Sequence, residues 1–268
     1  MNIGIIGYGR MGKMIEQAAL EQGLRVSAIV DPLSFEQNPR SGAPFYRGMA
    51  EAGNLNEAEV AIEFTQPSMA LANIKYLAEK RIPTVVGTTG WYDKLDEARQ
   101  AVEQAGTSLI WASNYSIGVN MFYRIAWYAA QLADSFPEYD VGGFETHHNK
   151  KVDSPSGTAK TLIKGLLERL SRKDKVVWEN LAARRPLPNE LHFPSMRLGS
   201  VPGTHSLFFD SPADTIEITH TARSREGFAS GAIRAAQWLI SPGAGNSRKG
   251  LFSIDDMLRE IFPHHLNS

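Results

Sequence analysis

The chain has 268 residues, a formal net charge of -1 and no cysteine. The near-neutral charge, without a long Lys/Arg run, argues against a nucleic-acid binder. The missing cysteines exclude disulfides, thiolate metal sites and thiol nucleophiles. No apolar run approaches the ~18 residues needed to span a bilayer, and the amino terminus carries no signal-peptide pattern. We therefore expect a cytoplasmic protein without a membrane partner, folded as one large domain or two smaller ones.

The first part of the chain alternates short β-branched runs with amphipathic stretches, which is typical of parallel strands joined by crossover helices. After the first run, apolar residues recur at helical spacing from Met11 to Ala19, and Gly23 marks the end of that helix. The predicted strands are Ile3–Ile6, Val26–Val30, Val60–Phe64, Thr84–Val86 and Ser108–Trp111. We predict an α/β fold whose N-terminal domain, residues 1–115, has a Rossmann-type parallel sheet.

A glycine-rich loop follows the first predicted strand and opens the first predicted helix. It reads Gly7-Tyr8-Gly9-Arg10-Met11-Gly12. Gly7 permits a tight turn, Gly9 lets a pyrophosphate approach the backbone, and Gly12 lets the helix lie close to the strand. A glycine-rich surface turn explains an isolated motif as well, but the strand-loop-helix context favours a dinucleotide site with the pyrophosphate on the helix N-terminus.

Asp31 ends the second predicted strand, about twenty residues beyond the glycine loop, where a carboxylate accepts hydrogen bonds from an adenosine ribose. The same charge repels a ribose 2′-phosphate, and Pro32 and Leu33 bring no guanidinium to attract one. We therefore predict that NADH binds more tightly than NADPH. Arg10 lies inside the loop, where its side chain is either solvated or offsets this repulsion by contacting the phosphate.

The alternation stops after Asn114. The remaining predicted elements are a helix over Val119–Ala133, a strand ending near Glu145 to His148, a helix beginning at Ser156 or Gly157, strands at Ser206–Phe209 and Thr215–Thr219, and a helix over Phe228–Ile240. This order indicates a second α+β domain on a mixed sheet, residues 116–240. A loop over 241–250 precedes a helix at 253–262 that we expect to return to the first domain.

Residues 145–159 concentrate polar groups suited to reducing an anionic substrate: two histidines, two lysines and a helix start at Ser156. Hydride addition to a conjugated C=C–C=N system leaves an electron-rich intermediate, which a histidine can protonate near neutral pH and an ammonium can stabilise. The helix start can hold a carboxylate, so a dianionic substrate fits. Taken singly, the same residues are as well explained as surface, solvated or capping groups.

Other chemistries fit this segment less well. His147 and His148 are adjacent, so on a strand they point to opposite faces, and no HExxH spacing is present. We therefore expect no metal. Ser154 and Ser156 lack a G-x-S-x-G elbow, which argues against a serine hydrolase.

The segment Glu145-Thr146-His147-His148 through Lys151, Asp153 and Pro155-Ser156-Gly157-Thr158-Ala159 resembles the E-x-H-H-x-x-K-x-D-x-P-S-G-T-A signature of the dihydrodipicolinate reductase family. Further similarity covers nearly the whole chain and is weakest at residues 172–195. The other similar stretches are Gly7–Gly12, Phe64-Thr65 with Pro67, Gly87–Gly90, Asn114–Asn120 and Ile216–His220. Three positions depart from the family pattern: Ser154 replaces an alanine, Glu63 an aspartate, and Pro32 an arginine of some relatives.

The resemblance implies NAD(P)H-dependent reduction of 4-hydroxy-tetrahydrodipicolinate, a cyclic dicarboxylate, on the route to diaminopimelate and lysine. It implies that His147 donates the proton with Lys151 as partner, and that the second domain assembles a homotetramer. It assigns substrate carboxylates to His148, Gly157 and Thr158. It assigns the cofactor to Gly7, Tyr8, Gly9, Arg10, Met11, Gly12, Asp31, Gly87, Thr88, Thr89, Ala112, Ser113, Asn114 and Tyr115.

Two alternatives remain open from the sequence. One is a related amino-acid or imino-acid dehydrogenase with the same two-domain plan. The other is a nicotinamide-sensing protein without catalysis, against which the intact histidine-lysine segment argues.

Overall fold

A computed structural model of the chain describes residues 1–34, 38–241 and 248–262. The chain divides into two compact units: Met1–Ser116 together with the segment from Glu226 onward, and Ile117–Arg225. Within the described ranges, no helix has both the length and the apolarity that a bilayer crossing requires.

The first unit begins with alternating strands and helices. They are β1 (Asn2–Ile6), α1 (Arg10–Glu21), β2 (Arg25–Val30), β3 (Phe45–Tyr46), β4 (Val60–Glu63), α2 (Pro67–Glu79), β5 (Thr84–Val86), α3 (Leu95–Ala105) and β6 (Ser108–Trp111). Short 3₁₀ turns lie at Met49–Glu51, Gly53–Glu57 and Tyr92–Lys94.

The second unit holds two helices and six strands. They are α4 (Ile117–Asp134), β7 (Asp140–His147), α5 (Gly157–Leu167), β8 (Lys175–Val177), β9 (Glu190–His192), β10 (Ser195–Arg197), β11 (Thr204–Asp210) and β12 (Thr215–Thr221). The chain then completes the first unit with α6 (Glu226–Ile240), β13 (Gly250–Ser253) and α7 (Ile254–Ile261).

Among the described residues, the sheet of the first unit has seven strands in the order β13-β6-β5-β4-β1-β2-β3, and their pairings are all parallel. Every residue of β4 and β5 is buried, as expected for central strands covered by helices on both faces. The predicted parallel sheet is confirmed. Because the strands are parallel, the ends of β1, β4, β5 and β6 and the loops that follow them meet at one edge.

The sheet of the second unit is mixed, in the order β10-β7-β11-β12, as predicted. β7 pairs parallel with β10 and antiparallel with β11. The register sets Ser195 and His205 on either side of Glu145, and Arg197 beside His147. The core of this unit packs α4 and α5 against the sheet through buried side chains that include Phe122, Leu162, Leu207 and Phe209.

The predicted domain boundary at residue 240 differs from the structure, because α6 belongs to the first unit. The helix packs closely on α1 and on the sheet through small buried residues: Ala229, Gly231, Ala232, Ala235 and Ala236. A Cβ at Gly231 would lie 1.8 Å from the carbonyl oxygen of Tyr115.

The predicted loop over 241–250 lies largely outside the described residues, but its last residue begins β13, a strand missed in the sequence. β13 pairs with β6 and leads into α7, which lies within the helix predicted at 253–262; both elements cluster with the first unit.

Candidate active site

The loop between β1 and α1 is closely packed at its two ends and open in the middle. Gly7 has a φ of +92°, and a Cβ there would lie 2.2 Å from the carbonyl oxygen of Phe64. A Cβ at Gly12 would lie 2.1 Å from the carbonyl oxygen of Gly7, whereas a Cβ at Gly9 would meet nothing within 4 Å. Gly9 is the N-cap of α1 and offers no side-chain cap, so the loop leaves an open approach to a free helix N-terminus.

Asp31 fixes the end of β2 to this loop. One carboxylate oxygen accepts the N–H of Tyr8 at 2.7 Å, and the other accepts the N–H groups of Leu33 at 2.7 Å and Ser34 at 3.0 Å. The carboxylate therefore lies beside the glycine loop, where the sequence predicts the adenosine ribose.

The side chains of the loop differ in what they can contact. Arg10 is exposed and Met11 is half-buried. The Tyr8 ring is buried, packs edge-on to Phe45, and donates its hydroxyl hydrogen to the buried carboxylate of Glu16. Only the backbone of Tyr8 is therefore suited to a cofactor.

The loops after β4 and β5 are joined by a polar network. The Thr88 hydroxyl accepts the N–H of Thr65 at 2.7 Å, and a Cβ at Gly87 would lie 2.0 Å from the Phe64 ring. Thr89 is exposed beside them. Glu63, a residue to which the sequence analysis gave no role, accepts hydrogen bonds from Thr65 and Asn73 beneath these loops. Burial raises the pKa of the Glu63 carboxyl.

The turn after β6 combines one exposed residue with three buried ones. Ser113 is exposed, whereas Ala112, Asn114 and Tyr115 are buried. The Asn114 side chain accepts the N–H of Ser116 at 2.9 Å. The Tyr115 hydroxyl lies 3.0 Å and 2.9 Å from the carbonyl oxygens of Val86 and Ile110, so its side chain links the ends of β5 and β6.

In the second unit, His147 ends β7 and is 7% exposed. Its Nδ1 lies 3.6 Å from Oε2 of Glu145, two residues earlier on the same face of the strand. Burial lowers the pKa of His147 to about 4; the Glu145 charge opposes this shift, while His205, Lys151 and Arg197 add to it.

Glu145 is fully buried and joins four elements. Its carboxylate accepts hydrogen bonds from the N–H and hydroxyl of Ser156, from the Ser195 hydroxyl at 2.7 Å and from Arg197 at 3.4 Å. His205 Nε2 lies 3.2 Å from its Oε2. We call Glu145, His147, Arg197 and His205 the His147 cluster.

The loop after β7 carries the other predicted residues. The Lys151 ammonium lies 2.9 Å from Asp153 Oδ2, and Arg197 donates to the Asp153 carbonyl oxygen at 2.6 Å. His148 is half-buried. This loop is therefore tied to β10 beside the His147 cluster.

Ser156 is the N-cap of α5, and its hydroxyl oxygen accepts the N–H of Ala159 at 3.0 Å. Gly157 is exposed and Thr158 half-exposed at the first turn, whose N–H groups have no intrahelical partners. The first turn of α5 thus offers backbone donors suited to a carboxylate.

Glu145, His147 and His205 place one ligand atom each within 4.8 Å of one another, a grouping that could hold a metal ion. The hydrogen bonds to Glu145 argue against a metal, because its carboxylate oxygens already accept from the Arg197 guanidinium and from the hydroxyls of Ser156 and Ser195. A metal would have to compete with a fixed positive charge.

Comparisons with known proteins identify the family of this chain. The family model for the N-terminus of dihydrodipicolinate reductase matches residues 1–115, and the model for its C-terminus matches residues 118–258. The chain belongs to the dihydrodipicolinate reductase family. The resemblance found in the sequence is confirmed.

Relatives within the dihydrodipicolinate reductase family match nearly end to end. The chain is 36% identical to the 4-hydroxy-tetrahydrodipicolinate reductase of Christiangramia forsetii, over 98% of this chain and 99% of that protein. It is 37% identical to the enzyme of Desulfovibrio desulfuricans, over 93% and 95%. Among solved structures, dipicolinate-bound dihydrodipicolinate reductase from Paenisporosarcina sp. TG-14 has a TM-score of 0.75 at 21% identity, covering 94% of this chain and 97% of that one.

The predicted residues His147, Lys151 and the start of α5 lie in one sequence segment. The sequence predicted no role for Glu145 and did not point to Arg197, Ser195 or His205. The spacing of Glu145 and His147, two apart on a strand, was the available signal for a shared face. Arg197 and His205 lie 52 and 60 residues after Glu145 in the sequence, and the pairing of β10 and β11 with β7 brings them to it.

Proposed function

We propose that this protein reduces 4-hydroxy-tetrahydrodipicolinate to tetrahydrodipicolinate on the route to diaminopimelate and lysine, with a proton from His147. The observation that carries the proposal is the His147 cluster, built beside the helix start of α5 in a chain of the dihydrodipicolinate reductase family. A bound reduced nicotinamide supplies the hydride.

The substrate carries two carboxylates, and the chain offers two sets of donors near His147 that suit them. The first turn of α5 presents the N–H groups of Gly157 and Thr158, and His148 presents a half-buried imidazole. We assign the carboxylates to these residues. Lys151 supplies positive charge where the electron-rich intermediate forms, and His147 then protonates it at carbon.

The cofactor side rests on the glycine loop. The open space at Gly9 and the free N-terminus of α1 suit a pyrophosphate, and Asp31 suits the adenosine ribose. The backbone of Tyr8, Arg10, Met11 and the loops at Gly87–Thr89 and Ala112–Tyr115 complete the proposed contacts. Because the Asp31 carboxylate repels a 2′-phosphate, we propose that NADH is preferred over NADPH.

We also propose a cytoplasmic homotetramer assembled through the second unit. The supporting features are an apolar stripe of exposed side chains on α4 and the edge strand β12 of the second sheet. The stripe comprises Met121, Ile125, Tyr128 and Leu132, which recur at helical spacing. Light scattering after size exclusion should give the mass of four chains, and Ile125→Glu should lower it; a wild-type monomer would contradict this assembly.

A coupled absorbance assay tests the reaction. Purified protein is mixed with synthase-generated substrate, and oxidation of NADH and of NADPH is followed at matched salt. We expect substrate-dependent oxidation that is faster at limiting NADH than at limiting NADPH. Oxidation only with an amino acid or diaminopimelate would select the related dehydrogenase, and cofactor binding without turnover would select a sensing protein.

A further inference from the structure

A buried carboxylate, to which the proposed reaction assigns no role, lies beside the proposed proton donor. Glu145 is 0% exposed, and its Oε2 is 3.6 Å from Nδ1 of His147. Nδ1 is buried and has no hydrogen-bond partner within residues 1–34, 38–241 and 248–262. The Glu145 carboxylate therefore lies at ion-pair distance from a buried ring nitrogen that has no hydrogen bond of its own among the described residues.

The surroundings of Glu145 keep it ionised. Burial alone would raise its pKa, but hydrogen bonds from His205, Ser156 and Ser195 outweigh burial and hold the pKa well below its ordinary range. A carboxylate with this many donors keeps its negative charge across the working range of an enzyme. It is thus a fixed charge, unable to take the proton from its neighbour.

The His147 ring is fixed on its other side as well. Gly203, with a φ of +155°, lies so close that a Cβ there would be 2.9 Å from Nε2. The His205 ring packs edge-on to it, with centroids 5.2 Å apart and an interplanar angle of 77°. The ring therefore has a defined orientation, with Nδ1 toward Glu145 and Nε2 beside Gly203.

We infer that Glu145 is the positioning residue of the proton transfer: its carboxylate holds the Nδ1 proton of His147 and supplies the negative charge beside which the ring becomes an imidazolium. This inference rests on the proposed function. In the transfer, the Nε2–H bond breaks, the proton forms a C–H bond with the reduced substrate, and the electron pair stays on Nε2. The product ring is neutral and keeps its Nδ1 proton toward Glu145.

The charges facing His147 show why this carboxylate matters. Four groups act on the ring: Glu145 of the same strand, Arg197 of β10, His205 of β11, and Lys151 of the loop that follows β7. Lys151 is itself paired with Asp153. Apart from Glu145, the groups that act on the ring disfavour its positive form. Without the carboxylate, the imidazolium would have only the bound dicarboxylate to stabilise it.

The same reasoning predicts proton uptake when the dicarboxylate binds. In the structure, burial keeps the pKa of His147 at about 4, so the ring is neutral near pH 7. Two substrate carboxylates beside Lys151 and the start of α5 add negative charge, which favours the protonated ring. Glu145 and the substrate would then stabilise the imidazolium from two sides.

The test compares Glu145→Gln with Glu145→Asp and with Glu190→Gln. Glu190 is a matched control, because it is a buried carboxylate on β9 of the same unit, paired with Lys175 of β8 and with Arg184 of the loop between them. Loss of an opposite charge at this distance shifts a pKa by about 1–2 units. We therefore expect the alkaline limb of kcat in Glu145→Gln to move to lower pH by that amount.

Several readouts separate positioning from general damage. In Glu145→Gln, kcat at pH 7 should fall about 10- to 100-fold with unchanged NADH affinity. Glu145→Asp, which keeps the charge, should return the limb toward the wild-type pH, and Glu190→Gln should leave the limb in place even if it lowers Tm. An unshifted limb in a folded Glu145→Gln variant would overturn the inference.

A second measurement applies to the wild-type protein, so it holds even if Glu145→Gln does not fold. Nitrogen-15 NMR of the histidines should show the neutral His147 ring protonated on Nδ1, and calorimetry with dipicolinate in buffers of different ionisation enthalpy should show proton uptake. A ring protonated on Nε2, or binding without uptake, would overturn the inference. Wild-type protein without reductase activity would instead defeat the proposed function, because the NMR result does not depend on turnover.

Discussion

The glycine loop and the His147 cluster, the two proposed binding sites, are built in opposite ways. Gly7, Gly9 and Gly12 act through side chains that are missing: two of them bring backbone into contact, and one leaves space open. The His147 cluster acts through charged and polar side chains that are buried together. Substitutions in the loop should therefore change cofactor affinity by steric fit. Substitutions in the His147 cluster should change the charge at the site and, with it, the pH dependence of the reaction.

The largest expected effect is at His147. His147→Gln should lower kcat by about 10²–10⁴-fold with little loss of NADH affinity, because the glutamine amide is not acidic enough to transfer a proton to the substrate. The coupled absorbance assay and a cofactor titration measure the two effects. His192→Gln, in β9 of the same unit, is the control and should retain turnover. Near-normal turnover in His147→Gln would remove His147 from the mechanism.

Lys151→Ala should also lower kcat, by about tenfold or more, because the ammonium stabilises charge on the substrate. The same assay measures it, with Lys164→Ala on the exposed face of α5 as control. A loss confined to cofactor affinity would contradict the role of Lys151.

Two glycines of one loop should respond differently. Gly12→Ala places a Cβ 2.1 Å from backbone, so it should lower both the unfolding free energy, by about 1–3 kcal/mol, and cofactor affinity. Gly9→Ala should keep the wild-type Tm but weaken NADH binding about tenfold, because its Cβ occupies the approach to α1. Thermal unfolding and NADH titration separate the two, with Gly48→Ala as control. Equal NADH affinity in Gly9→Ala and wild type would argue against a pyrophosphate at this loop.

A smaller effect is expected at Asp31, whose carboxylate places a negative charge beside the glycine loop. Asp31→Asn should shift the ratio of NADPH to NADH affinity toward NADPH by roughly tenfold, about 1.4 kcal/mol, because the repulsion of a 2′-phosphate is lost. Titration of both cofactors at one salt concentration measures the ratio. Glu21→Gln, an exposed carboxylate of α1, should leave it unchanged. An unchanged ratio in Asp31→Asn would remove this residue from cofactor selection.

The smallest effect is on stability against acid. The folded pKa of His147 is lowered from 6.5 to about 4, so between these values the unfolded chain binds more protons and the unfolding free energy falls as the pH decreases. His220, whose pKa burial also lowers, acts in the same direction. Urea unfolding from pH 7 to pH 4 should show this loss, and His147→Gln should reduce its slope. Identical slopes would contradict a neutral buried ring.

The glycine loop and the His147 cluster also differ in how far the sequence predicts them. The glycine loop and the parallel strands were predictable because their signals are local: glycine spacing, strand runs and helical periodicity. The segment 145–159 pointed to His147, Lys151 and the start of α5 for the same reason. Their catalytic and binding roles stay predictions.

The rest of the site depends on strand register, which sequence periodicity does not specify. Ser195 and Arg197 lie in β10, which has three residues, and His205 lies in β11; only their pairing with β7 brings them to Glu145. β13 escaped prediction because it is short and begins at Gly250 in a segment rich in Gly and Ser. The helix at 226–240 was placed with the wrong domain because its packing on α1 is a tertiary contact.

The central claim is that a cyclic dicarboxylate binds against His147 and Lys151 and receives its proton from the imidazole. A crystal structure with dipicolinate and a nicotinamide cofactor tests it most directly. The account predicts that Nε2 of His147 lies about 2.6–3.2 Å from the bound dicarboxylate, with a carboxylate on the first turn of α5. A dicarboxylate bound elsewhere, with His147 and Lys151 both directed into solvent, would contradict it.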